Sequence, residues 1–140
     1  MIRSCTAHKG EIAVQRAILR ALELGLTPSR PCIEGVRYDL IVDRGALGLA
    51  RVQVKYCNHR PRSSDAYEIS LTRHSGSRNR RLYRYGSDEV DAIVALLAAH
   101  DSMVWLPHEL WNGRTAVTVR ARPAANGQRR NIHMLDQYRW

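Results

Sequence analysis

The segment 37–57 constrains this chain more than any other. It holds Arg37-Tyr38-Asp39-Leu40-Ile41-Val42-Asp43, then Arg44-Gly45-Ala46-Leu47-Gly48, then Leu49-Ala50-Arg51-Val52-Gln53-Val54-Lys55-Tyr56-Cys57. The outer segments have strand character, and a glycine-containing connection of this length is normal for an antiparallel hairpin. Pairing Asp43 with Leu49 and counting back sets Asp39 opposite Gln53. Side chains alternate along a strand, so Tyr38, Leu40, Val42, Val52, Val54 and Tyr56 form one apolar face, and Asp39, Gln53 and Lys55 share the other.

Before the hairpin, residues 6–24 read as a helix, with Ile12, Val14, Ile18, Ala21 and Leu22 at helical spacing and Gly25 placed to end it. Glu11, Gln15, Ile18 and Leu22 fall on one stripe, so a carboxylate heads a largely apolar face; a first-turn Glu favoured by the helix dipole is the alternative. Residues 27–31 contain two prolines and are extended or looped. Beyond the hairpin, strands are expected at 67–71, 91–99, 103–106 and 115–122. The run 91–99 also suits a helix by its alanines and leucines, and its length decides for a buried strand. Residues 73–80 read as an irregular basic loop, and a short helix ends at Trp140. Neither a repeat nor a dividing linker is evident, so residues 1–140 are expected to form one domain.

Charge gives a direction. Twenty-two basic residues against 13 acidic ones leave a net charge of +9, which favours a polyanionic partner through counterion release. Nucleic acid leads, with an anionic membrane surface second. Only Lys9 and Lys55 among the basic residues are lysines, so a lysine here is a candidate for a role that needs a compact, movable ammonium. Cys5, Cys32 and Cys57 are a poor disulfide framework and fit a reducing compartment. Cys5 with His8 and Cys57 with His59 have loose zinc spacing, although buried or incidental thiols account for them more simply. Without an apolar span or a charged-then-apolar leader, the expected location is cytoplasmic, with no membrane partner.

Cross-strand spacing brings Asp39, Gln53 and Lys55 within about 5 Å of one another at Cβ. That is a cation site beside a positive charge, and Glu11 could add an oxygen. Phosphodiester hydrolysis needs such a set: oxygen ligands for Mg²⁺, an acidified water and a cation to orient it or neutralise charge at phosphorus. The same residues on a solvated hairpin face are the alternative.

At these positions the chain resembles the PD-(D/E)xK nuclease superfamily, and within it the group of intron-encoded homing endonucleases and Holliday junction resolvases. The residues that carry the resemblance are Gly10-Glu11, Arg37-Tyr38-Asp39-Leu40 and Gln53-Val54-Lys55. Tyr85, Asp88-Glu89-Val90-Asp91, Val104-Trp105-Leu106-Pro107 and Asn126-Gly127-Gln128, with Ile132 and Tyr138, extend it over most of the chain. It implies an α/β fold with a restriction-endonuclease-like core, a mixed β-sheet flanked by helices. It also implies a DNA endonuclease using Mg²⁺, with Mn²⁺ able to substitute. Asp39 and Glu11 would hold the metal with the carbonyl of Val54, and Lys55 would position the attacking water or stabilise the transition state. Gln53 departs from the acidic residue usual there and weakens cation binding, but the homing-type group tolerates it.

Arg37, Arg73, Arg78, Arg80, Arg81, Arg84, Arg120, Arg122, Arg129 and Arg130 are the candidate phosphate contacts, with solvated surface charge as their alternative. Tyr83 and Tyr85 contact sugar or bases, or are buried in strands. His108 and His133 have no evident catalytic partner and are left as packing or surface residues. Cutting two antiparallel strands suits a homodimer or a homotetramer. A Holliday junction resolvase, a non-catalytic DNA-binding protein that Gln53 keeps in view, and an RNA-cleaving toxin are the rivals.

Overall fold

The computed structural model describes residues 5–58, 65–74, 82–130 and 132–140. In chain order the elements are α1 (Thr6–Glu23), β1 (Thr27–Ser29), β2 (Leu40–Asp43), β3 (Leu49–Cys57), β4 (Ala66–Ser70), β5 (Thr72–His74), β6 (Leu82–Arg84), β7 (Ala92–Leu97), β8 (Ser102–Pro107), α2 (His108–Trp111), β9 (Ala116–Arg120), β10 (His133–Met134) and α3 (Leu135–Tyr138). The main sheet runs β1-β2-β3-β7-β8, and a smaller one runs β10-β9-β4. Both mix parallel and antiparallel pairs, since β3 runs parallel to β7 and β10 parallel to β9. The fold is α/β.

The hairpin has the expected register, with Asp43 opposite Leu49 and Leu40 opposite Val52. β7 lies between β3 and β8, and each of its residues is buried. Both of its faces are covered, which is why its sequence is a continuous apolar run rather than an alternating one. Pro28, whose missing N–H a central strand would not tolerate, sits on the edge strand β1. Residues 73–80 are not wholly irregular, because β5 pairs antiparallel with β6.

α1 covers one face of the main sheet. Ala13, Val14, Ala17 and Ala21 pack on Leu40, Val42, Val52, Val54, Val94 and Leu96. This corrects part of the expected helix face: Ile12 and Leu22 are exposed, while Val14 and Ala21 are buried as expected and Ala13 and Ala17 join them. Small side chains let the helix backbone approach the sheet closely. Gly25, with φ +73°, then turns the chain after the helix. The opposite face of the sheet packs through Ile93, Ala95 and Leu97 on Tyr67 and Ile69 of β4 and Val117 and Val119 of β9. Trp111 is buried there with its indole N–H donated to the carbonyl of Leu106 at 3.0 Å.

Candidate active site

The site arises where β2 starts late. Strand character was expected from residue 37, yet β2 begins at Leu40 while β3 runs on to Cys57. Beyond Val52 the edge of β3 that faces β2 therefore has no partner strand. Asp39 substitutes for it. Its backbone N–H donates to the carbonyl of Val52 at 2.8 Å, and its Oδ2 accepts the N–H of Val54 at 2.8 Å. A side chain thus satisfies an amide that a longer β2 would have paired, which holds the carboxylate against β3.

Gln53 donates Nε2–H to the same Asp39 Oδ2 at 2.7 Å, and that nitrogen lies 3.4 Å from the carbonyl oxygen of Val54. The amide thus spans the Asp39 carboxylate and the Val54 carbonyl. Burial raises the Asp39 carboxyl above the ordinary carboxylate range, against the Val54 amide and the charges of Lys55 and Arg30, which lower it; the nearby Glu11 charge raises it further.

Lys55 shares the face of Gln53, one pleat repeat along β3. Its Nζ donates to Tyr85 Oη at 3.1 Å and stands 4.8 Å from the centre of that ring. Tyr85 is buried, which settles its role as packing beneath Lys55 rather than an exposed contact. The other lysine, Lys9, lies 5.8 Å from the Tyr56 ring on the helix side.

Glu11 arrives from the second turn of α1. Its Oε1 accepts bonds from Gln15 at 2.8 Å, as the shared helix stripe predicts, and from Arg30 at 2.8 Å. Its Oε2 accepts a second bond from Arg30 at 3.2 Å. Those bonds, Arg30 first, draw the Glu11 carboxyl down to about 2. Arg30 and Asp39 also line one open cavity of about 300 Å³, walled by the loop through Cys32 and Gly35. Asp39 and Gln53 are thus in direct contact, and Asp39 feels the charges of Lys55, Arg30 and Glu11 around it. Sequence reasoning missed Arg30 and the support that Tyr85 gives Lys55. Arg30 stands 19 residues from its partner with no periodic relation to it, so no local pattern marks it.

A model of the PD-(D/E)XK endonuclease family matches residues 5–140. The chain belongs to that family. No curated protein matches it. Among solved structures it is similar to a bacterial homing endonuclease, I-Ssp6803I, at 27% identity, over 96% of this chain and 88% of that one, with a TM-score of 0.74. The protein is thus a nuclease with a restriction-endonuclease-like fold.

The arginines of this endonuclease are placed unevenly. Arg37 pairs with Glu89 at 3.2 Å instead of standing free on the surface. Arg120 donates to the carbonyl of Arg122 at 3.0 Å and lies beside an open cavity with Asn126 and Gln128, while Arg122 lies 3.9 Å from Asp65. Arg84, Arg129 and Arg130 are exposed, and Arg84 reaches the carbonyl of Gly113 at 3.4 Å. Arg78, Arg80 and Arg81, the side chain of Arg73 and the side chain of Tyr83 lie outside the described residues, as does His59. Cys5 and His8 form a pair at 2.9 Å, and Cys57 is buried at the end of β3. His108 packs edge-on against Trp111 and His133 against Tyr138, the first of the two roles, packing or surface, left open for them. Among the described residues no helix is long and apolar enough to cross a membrane.

Proposed function

We propose that this endonuclease hydrolyses phosphodiester bonds of DNA with a divalent cation, Mg²⁺ or Mn²⁺, at the gap before the start of β2. The observation that carries the reading is the Asp39 carboxylate, fixed on the open edge of β3 with Gln53 and Lys55 on the same face and Glu11 within electrostatic reach. The donor chemistry fits a hard cation. Two carboxylates, the Val54 carbonyl and the Gln53 amide make an all-oxygen set once the amide turns to present Oε1 in place of Nε2. When bound, such a cation polarises the phosphate and acidifies water.

The chain's own residues do the rest. Asp39 and Glu11 would hold the cation with the carbonyl of Val54, and Gln53 would supply the neutral oxygen where the family usually has an acid. Lys55, aimed by the Tyr85 hydroxyl, would orient the attacking water or offset the charge that develops at phosphorus. DNA as substrate is supported by the net charge of +9 and by the similarity to a homing endonuclease. The exposed Arg84, Arg129 and Arg130 and the half-buried Arg120 would contact the backbone phosphates. A homodimer or homotetramer would bring one such site to each strand.

The test is incubation of the purified protein with plasmid and Mg²⁺, beside duplex, four-way-junction and RNA substrates. Wild type should nick or linearise duplex, and Asp39→Ala and Lys55→Ala should not. Equal cutting by all three proteins would remove these residues from the chemistry. Preference for the junction or for RNA would replace the duplex reading with that of a resolvase or a ribonuclease.

A further inference from the structure

Arg30 belongs to no motif identified above, yet both of its terminal nitrogens sit on Glu11, at 2.8 and 3.2 Å. The pair is half exposed, 48% for Arg30 and 50% for Glu11. An ion pair so open to water contributes little to the stability of a fold, so holding the loop in place is a poor account of a bidentate clamp. Its position is more telling. Arg30 follows the last residue of β1 and lines, with Asp39, the open cavity of about 300 Å³ beside the site. The electrostatics agree: two carboxylates, Glu11 and Asp39, face two cations, Lys55 and Arg30, so the cluster is balanced as it stands. Adding a divalent cation on those two carboxylates leaves Arg30 and Lys55 as surplus positive charge, with Glu34 a further carboxylate lining the cavity beside Arg30.

We infer that Arg30 is a phosphate-binding residue held in reserve on Glu11, exchanging that carboxylate for a DNA phosphate when a divalent cation takes Glu11. This rests on the cation reading of the site proposed above. The exchange suits the side chain, since a planar guanidinium fork fits a phosphate as well as a carboxylate. Gln15 stays on Glu11 Oε1 and keeps the carboxylate oriented as Arg30 leaves. The weakness of an exposed pair is what permits the exchange.

The experiment uses the whole protein and Ca²⁺, measured two ways. Calorimetry with Ca²⁺ alone should show Arg30→Ala binding the ion about two- to fivefold more tightly than wild type, because the competing exposed ion pair is gone. In the presence of Ca²⁺, the same variant should bind duplex DNA more weakly, with the slope of log affinity against log salt reduced by about 1. Arg30→Lys should keep most of that slope. Opposite shifts in ion and DNA affinity are not expected from loss of a merely structural contact. Unchanged ion affinity and salt slope, or weaker Ca²⁺ binding in Arg30→Ala, would overturn the exchange alone. If wild type shows no Ca²⁺ binding that Asp39→Ala abolishes, the cation reading of the site fails, and the exchange fails with it.

Discussion

Replacing Gln53 by Glu restores the acid that the family usually carries there, and its cost in the absence of a cation follows from two distances. The Gln53 amide nitrogen donates to Asp39 Oδ2 at 2.7 Å and lies 3.4 Å from the Val54 carbonyl oxygen. Gln53→Glu turns that donor into a charged acceptor facing two acceptors. Two unit charges ~4 Å apart repel by about 4 kcal/mol at an effective dielectric of 20, and the lost hydrogen bond adds about 1 kcal/mol. Uptake of a proton by the pair limits the total, and the Asp39 carboxyl is already raised by burial, so a net loss of about 2–4 kcal/mol is expected near neutral pH. For a domain of this size that corresponds to a fall in Tm of about 6–12 °C. Excess divalent cation should narrow the gap between the two proteins, since a charged ligand at position 53 binds the ion more tightly than the neutral amide and each tenfold in Kd contributes about 1.4 kcal/mol more to the variant than to wild type. Thermal unfolding followed by circular dichroism, in EDTA and in millimolar Mg²⁺, measures both. Equal melting of variant and wild type in EDTA would mean that residue 53 does not face Asp39 in solution. A deficit of the same size with and without Mg²⁺ would mean that the residue at position 53 adds nothing to the hold on the ion.

Three further outcomes are expected. Tyr85→Phe keeps the ring under Lys55 and removes the hydroxyl at 3.1 Å from Nζ, so single-turnover cleavage should slow about three- to tenfold with little change in Tm; an unchanged rate would show that Lys55 needs no aiming. Burial pushes the Cys57 thiol up to about 12, whereas Cys5 and Cys32 are exposed, so Ellman's reagent should titrate two thiols in the native protein and a third only after unfolding. Arg51 draws the Asp91 carboxyl below its ordinary value through bonds of 3.0 Å to each oxygen, and the Arg51 N–H adds one of 2.7 Å. Because the folded pKa is lowered, the stabilisation is complete above the ordinary carboxylate range and is lost as pH falls through the folded value. Asp91→Asn should therefore cost about 1–2 kcal/mol in urea unfolding at neutral pH, discounted for partial exposure, and the gap should close in strong acid.

Much of the site was legible because it lies on one strand and the residue opposite. Turn length and alternation set the register of β2 on β3, and that register carried Asp39, Gln53 and Lys55 to one side. Where the reading went astray, size stood in for distance. Ile12 and Leu22 are among the large apolar residues of α1 and were expected to be buried, but Ala13 and Ala17, with Ala21, let the helix lie closest to the sheet. The two-residue pairing of β10 with β9 is too short to leave a periodic trace. The engagement of Arg37 by Glu89 joins residues far apart in the chain, so Arg37 read as a free cation although it is an ion-pair partner.

By itself, the order of residues determined which side chains share a face, because the direction of successive Cβ atoms along a strand or a helix is a local property. The stripe of Glu11 and Gln15 and the shared side of Gln53 and Lys55 needed nothing else. Only tertiary structure decided that β2 would begin no earlier than Leu40, that its missing rung would be supplied by a carboxylate, and that Arg30 would meet Glu11. Those outcomes depend on packing α1, the loop after β1 and β3 against one another, and the energies that select them come from contacts between segments that sequence spacing does not relate.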